Sequence, residues 1–436
     1  MRYTIPMLDV VSTIFWGLLL LTAVIFIHEV GHFSAARAFG LRVKEFMIGL
    51  PGPKLFFKRH DTRYGVTAIP LGGYCLIAGM EKGEEGSELE KALALIAYFG
   101  TFSEDQAQRA SEALGIDLIQ GLDTLADWGT VYRFRAKGLY HYMISAATIK
   151  GVSYKEGQPR QLDDIKGFLA AERELTYVSK PWWKRIVMLL AGSFSNLVVA
   201  MAILISLLMV MGAQSPSTTI DRVVEGSPAE AAGLVAGDQL AAINDDSFDT
   251  WEGFIEALEK HTAGERVTLA YNHEGTRKIV VLNLGDSDGN PMLGVVAAYE
   301  REPISILKAA QVSVSLVGMT LAAILQLFNP ATFSETIGQT SSVVGISIEA
   351  SNAAANGPVD FIVLIAALSI SIGFMNLLPI PPLDGGKIII ETIERLAHRR
   401  LPVSIVNGIS IVGFAAMILL FIVATNADIH RYFLGG

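Results

Sequence analysis

The sequence predicts an α-helical polytopic membrane protein with four transmembrane helices, a membrane-associated β-hairpin or sheet, and one soluble α+β domain. Three observations carry this prediction. Of the 436 residues, 51% are hydrophobic, more than a soluble chain of this size usually holds. Four runs, 10–27, 186–211, 361–383 and 403–424, contain no charged residue and are long enough to cross a bilayer. Between the second and third, residues 215–298 turn acidic and soluble in character, with turn residues separating alternating patterns.

The first run leads straight into HEVGH, residues 28–32. Residues four apart on a helix share a face, so His28 and His32 can offer two imidazoles to one zinc ion, with Glu29 beside them as general base. Three ionisable groups at the end of an apolar span are costly there and read as functional. The run lacks a convincing small-residue cleavage site and is expected to stay as a signal anchor. Arg37, Arg42, Lys44, Lys54, Lys58 and Arg59 follow, which puts the end of this span in the cytoplasm and the N-terminus outside.

Residues 63–80 are apolar but interrupted by Pro70, Gly72 and Gly73, so they predict a β-hairpin or loop packed on the ligand-bearing helix rather than a span. With that segment, residues 1–80 form the first unit. Residues 81–180 predict a helical cytoplasmic insertion: Glu81, Glu84, Glu85 and Glu88 open runs with helical apolar spacing. Its His141 is isolated and reads as a surface or core histidine. KPWWKR, 180–185, has the basic and aromatic character of a cytoplasmic interface, and 181–214 holds the second span. Within it Gly192, Ser193 and Ser195 suit close helix packing, while Asn196, a buried amide that needs a partner, is a candidate substrate-binding residue.

Residues 215–300 contain a glycine-punctuated block (223–244), a helix with Trp251, Phe254, Ile255 and Leu258 on one face, and strands in RVTLAY and RKIVVLNL. Together these resemble a PDZ domain in the permuted arrangement of bacterial proteases. Residues 301–358 include an apolar run, 304–328, carrying Lys308, Gln311 and Gln326. Residues 359–436 hold the last two spans, joined by a loop with Lys387, Arg395, Arg399 and Arg400, which marks the loop as cytoplasmic. His28, His32 and the end of the third span can meet only if the first and third spans run in the same direction. A single crossing at 186–211 achieves that, so 304–328 is expected to be an amphipathic or re-entrant helix on the outer surface, with the C-terminus outside.

A zinc site that keeps a position for water needs a third protein ligand. Asp384 is the candidate: it stands at the cytoplasmic end of the third span, after Pro379, Pro381 and Pro382 and before Gly385 and Gly386, residues that stop the helix and allow a sharp turn. The single cysteine, Cys75, excludes an internal disulfide and a Cys-based zinc site. The formal charge of −9 argues against a nucleic-acid partner.

On these motifs the chain resembles the site-2 protease family, intramembrane zinc metalloproteases, and especially its bacterial regulators of envelope stress. The matches are HExxH at His28, Glu29 and His32, the N-x-x-P-x-P-x-L-D-G motif at Asn376, Pro379, Pro381, Leu383, Asp384 and Gly385, and the glycine-rich membrane-associated segment at Pro70, Leu71, Gly72, Gly73 and Tyr74. The resemblance implies a Zn2+ cofactor, Glu29 as general base, Asn376 near the metal, and Gly72, Gly73 and Tyr74 among the substrate-binding residues. It further implies location in the bacterial cytoplasmic (inner) membrane, with the PDZ domain and both termini extracytoplasmic. The implied substrates are single-span membrane proteins such as anti-sigma factors, first cut outside by a site-1 protease. The alternative is a metal-binding membrane scaffold or transporter whose PDZ domain recruits a partner. A transporter would spread polar groups along a path through several spans, whereas here they gather at one level.

Overall fold

The computed structural model describes residues 7–69, 72–80, 88–136, 138–287, 289–332, 336 and 340–434. Pro70, Leu71, Glu81, Glu84 and Glu85 therefore lie outside the described residues. Helix α1, Met7–Ala38, is the first span. From Val10 to His28 it rises about 27 Å, close to the thickness of a hydrocarbon core, so the motif falls at the far end of the apolar stretch.

The chain next forms β1 (Val43–Ile48), β2 (Lys54–Arg59), β3 (Thr62–Thr67) and β4 (Gly73–Ile77), a sheet of order β2-β3-β1-β4. The predicted pairing within 63–80 is corrected here. β3 and β4 do not pair with each other but flank β1, parallel and antiparallel respectively, and the hairpin is β2–β3. Val43 and Met47 are buried while Glu45 reaches an ion pair with Lys54, so β1 is the central, non-local strand that local pattern reading cannot supply.

The insertion is also corrected, from helical to mixed. It holds α2 (Glu88–Phe99), β5 (Thr101–Ser103), α3 (Glu104–Leu114), α4 (Leu118–Trp128), β6 (Val131–Ala136), β7 (Leu139–Ile144), the short pair β8 (Ala147–Ile149) and β9 (Val152–Tyr154), and α5 (Ile165–Glu174). Leu93, Ile96, Leu118, Leu122 and Leu125 from the helices pack on Tyr142 and Ile144 of the sheet. The helical signals are real: Ser103 and Gln106 form a reciprocal capping box and Asp117 caps α4. Strands β5, β8 and β9 have three residues each, too few for a period-2 pattern to stand out, whereas the six-residue β6 and β7 do carry one. Arg42 on the sheet side reaches Glu172 of α5 at 2.6 Å, and Lys44 reaches Asp127 at 3.1 Å.

Helix α6, Trp182–Met211, is the second long apolar helix. A second compact unit comprises residues 204–313. Its elements are β10 (Ala213–Val223), α7 (Pro228–Ala231), β11 (Gln239–Ile243), β12 (Asp246–Ser247), α8 (Trp251–Glu259), β13 (Arg266–His273), β14 (Thr276–Asn283), β15 (Gly285–Ser287), β16 (Asn290–Met292) and β17 (Val295–Glu302). The main sheet runs β14-β13-β11-β10-β17. As its spacing predicts, α8 turns Phe254 and Leu258 into the core, with Trp251 and Ile255 packed against it.

The rest is helical: α9 (Ile306–Gln326), α10 (Val343–Asn356), α11 (Pro358–Asn376), α12 (Asp384–Ala397) and α13 (Val403–Ile429). Five helices among the described residues are long and apolar enough to cross a membrane, at Val10–Ala38, Trp182–Met211, Ile306–Gln326, Pro358–Asn376 and Ser404–Tyr432. The chain is a multi-pass membrane protein. α1 and α11 run in the same direction: Trp16 meets Phe361 at 5.1 Å between ring centroids, and twelve residues further along α1 its histidines meet the chain just beyond α11. α10 runs antiparallel to α1, with Ser12 beside Ser351 and Gly17 beside Ser347.

Candidate metal centre

His28 and His32 lie one turn apart on α1, and Asp384 opens α12 on a turn that only glycines permit. A Cβ at Gly385 would run into the Leu377 carbonyl, and one at Gly386 into the backbone of Pro381. The ligand atoms form a nearly equilateral triangle. His28 Nε2 and His32 Nε2 are 3.0 Å apart, and Asp384 Oδ2 is 3.1 Å from each. His28 and Asp384 are 6% and 7% exposed.

The chemistry of this donor set fits a cation. A backbone carbonyl only accepts, so His32 Nδ1 donates to Met188 O at 2.8 Å, which leaves a lone pair on Nε2. That lone pair faces a carboxylate oxygen and a second imidazole nitrogen, an arrangement of acceptors that a shared positive ion relieves. Edges of 3.0–3.1 Å are a few tenths of an ångström shorter than the ~3.3–3.4 Å that tetrahedral ligands at zinc's usual ~2.0–2.1 Å would show, within the reach of one shared ion. Helix α6 makes room, because a Cβ at Gly192 would strike Nε2 of both histidines. At Gly31 a Cβ would strike the Ala191 carbonyl, and Ser195 Oγ donates to Ile27 O at 2.7 Å. α1 and α6 therefore cross at backbone contact.

A cavity of 480 Å³ opens on the triangle, lined among others by Glu29, Tyr74, Cys75, Asn376 and Lys387. Glu29 accepts a hydrogen bond from the Cys75 backbone N–H, and Gly73 lies against its side chain, where a Cβ would be 3.6 Å from Glu29 Cγ. β4 is thus an edge strand running past Glu29. Gly72 takes φ +86°, a conformation that favours glycine, and accepts from Gly49 N–H. Tyr74 donates to Glu45 at 2.8 Å. Asn196 stands apart from the cavity lining: it is fully buried beside Gly373, where α6 meets α11.

Sequence reasoning missed the Met188 carbonyl, Glu45 and the role of Lys387, whose Nζ is 3.4 Å from Asp384 Oδ1. Only Lys387 left a signal, its i,i+3 spacing from Asp384.

Two histidines and a carboxylate meeting beside a glutamate, between helices able to span a bilayer, define a membrane-embedded zinc metalloprotease. The chain belongs to peptidase family M50, which it matches over residues 16–420. It is 28% identical to the Bacillus subtilis regulator of sigma-W protease RasP, over 97% of this chain and 100% of that protein. It is also 28% identical to the zinc metalloprotease RasP of Oceanobacillus iheyensis, with the same coverage, and 26% identical to a putative zinc metalloprotease of Streptococcus pneumoniae, over 94% of this chain and 96% of that one. Among solved structures it is similar to the PDZ domain of an SdrC-like protein from Listeria monocytogenes, at 23% identity over 20% of this chain and 90% of that domain, TM-score 0.18. The chain is a zinc metalloprotease of the site-2 type.

Proposed function

We propose that this protease hydrolyses peptide bonds within or next to the transmembrane segment of single-span membrane proteins, including anti-sigma factors already shortened outside the membrane by another protease. His28, His32 and Asp384 hold the zinc. The observation that carries the reading is the meeting of these three donors with Glu29 and the edge strand β4 at the end of an apolar span. Bound zinc supplies Lewis acidity that makes water a nucleophile near neutral pH.

Glu29 takes the proton from the attacking water and returns it to the leaving amine. The Cys75 N–H orients its carboxylate for this work. A helical substrate has its carbonyls tied in i to i−4 bonds and must unwind. β4 offers the unwound strand a pairing edge at Gly73 and Tyr74, continued by Gly72, and Asn376 hydrogen-bonds the substrate backbone. Asn196, buried at the α6–α11 contact, would serve substrate binding through the placement of α11.

The end of α12 with Arg395 and the turn after it with Arg399 and Arg400 are cytoplasmic, and the second unit and both termini are extracytoplasmic in the bacterial inner membrane. The second unit is a PDZ domain that screens substrates. α9 lies on the outer surface, which makes four spans. The common direction of α1 and α11 supports this, as does α10, whose 14 residues reach only about 21 Å and cannot alone return the chain across a ~30 Å core. Co-expression with single-span proteins tests the activity: wild type cleaves and Glu29→Gln does not, and equal cleavage by both would defeat the mechanism.

A further inference from the structure

Helix α12 is amphipathic in an unusual sense. Asp384 and Glu391, seven residues apart, share one face and are 7% and 4% exposed, while Ile389, Ile393 and Leu396 on the opposite face are 40%, 44% and 75% exposed. A helix that turns its acids inward and its apolar side chains outward gains no solubility from those acids. Asp384 has the zinc site to face. Glu391 faces Arg185, whose Nη1 is 2.7 Å from Glu391 Oε2.

Arg185 is on α6, in register with the metal centre. Met188, whose carbonyl orients His32, follows it by three residues, and Gly192, which admits both histidine rings, follows by seven. α6 and α12 are therefore joined on two successive levels: Gly192 and Met188 with the histidines and Asp384 on one, Arg185 with Glu391 on the other. Tyr177, 3% exposed, fills the space between them. It lines the metal cavity and lies 5.8 Å from the Arg185 guanidinium.

We propose that the Arg185–Glu391 pair is a positioning device for the zinc ligand Asp384, fixing the axial register of α12 against α6. Glu391 and Arg185 are positioning residues that touch neither metal nor substrate. Asp384 is the first residue of its helix, preceded by a proline-rich turn, so its carboxylate goes where α12 goes. With the pair intact, α12 cannot slide or rotate away from the face of α6 that receives the histidines.

The inference rests on His28, His32 and Asp384 holding the zinc, and the experiment separates the two ideas. Full-length protein in detergent micelles is stripped and titrated with zinc against a chelator of known affinity, and the melting temperature of the zinc-free form is recorded in parallel. Glu391→Gln and Arg185→Gln should each weaken zinc binding about ten- to a hundredfold, the usual loss when support of a metal ligand is removed. The double Gln variant should be no worse than either single, and Arg185→Glu combined with Glu391→Arg should recover most of the affinity. Should the Gln variants fail to fold, Glu391→Asp, which keeps the charge but withdraws it by one methylene, should bind zinc measurably more weakly. Wild-type zinc affinity in a folded Glu391→Gln or Glu391→Asp, whatever its melting temperature, overturns the positioning role. Wild-type affinity in Asp384→Asn would overturn the ligand set itself and the inference with it.

Discussion

Glu29 and Asp384 are both carboxylates at the same cavity, and the proposed function gives them different work. Asp384 Oδ2 is 3.1 Å from both imidazoles, whereas Glu29 is held by a backbone N–H of β4. Glu29→Gln should therefore keep its zinc and lose proteolysis, and Asp384→Asn should lose zinc, because an amide is a poorer ligand than a carboxylate. Elemental analysis of the purified variants checks both. If Glu29→Gln lost zinc as fully as His28→Ala, Glu29 would be a ligand. Gly192 gives a prediction of another kind: Gly192→Ala puts a methyl group against Nε2 of both histidines, so zinc content should drop although helix propensity improves by about 1 kcal/mol.

At the scale of elements, the short helix α10 depends on a neighbour for its start. Asp428 of α13, fully buried, accepts from the N–H groups of Ser342 and Gly345 at 2.6 and 3.1 Å, satisfying donors that a helix N-terminus leaves open. Asp428→Ala should cost about 1–2 kcal/mol, read as a lower melting temperature, with Asp428→Asn milder. The insertion docks by a similar local device. Arg42 and Glu172 have side chains 12% and 13% exposed, and beside them burial lowers the pKa of Arg42 while its hydrogen bond to Glu172 raises it, with a net rise above the ordinary value. Glu172→Gln leaves that guanidinium without its main counter-charge and should cost roughly 3 kcal/mol, measured by denaturant unfolding of the full-length protein. The disposition of α9 is tested by labelling a cysteine at position 329 in a Cys75→Ser background. Labelling from outside is expected, and labelling from the cytoplasm would refute the four-span arrangement.

For the whole molecule, the question is how a protease whose cavity opens among spans avoids cleaving unrelated ones. The second unit has its own core around Leu240, Phe254 and Leu269. As a steric gate it excludes large ectodomains without reading any terminal sequence. As a receptor it would capture the new C-terminus left by the first cut. Deleting 217–298 with a short linker separates the two: a gate predicts cleavage of the full-length substrate without the first cut, and a receptor predicts loss of cleavage even of the trimmed one. Size exclusion is the expected result, and a folded, zinc-loaded deletion variant that still rejects full-length substrate would refute it.

The sequence by itself determined the chemistry. His28, Glu29 and His32 are placed by helix periodicity alone, and Asp384 by the prolines and glycines around it, because these are local constraints on backbone and face. Periodicity likewise predicted the buried face of α8 and the helical runs of the insertion. Tertiary structure alone decided the rest: that β1 lies between β3 and β4, that the insertion includes strands, that Met188 O orients His32, and that Glu391 faces Arg185. Each of these joins segments far apart in the chain. Strand order and ion-pair partners depend on which surfaces are buried together, and no local pattern in a single sequence encodes that.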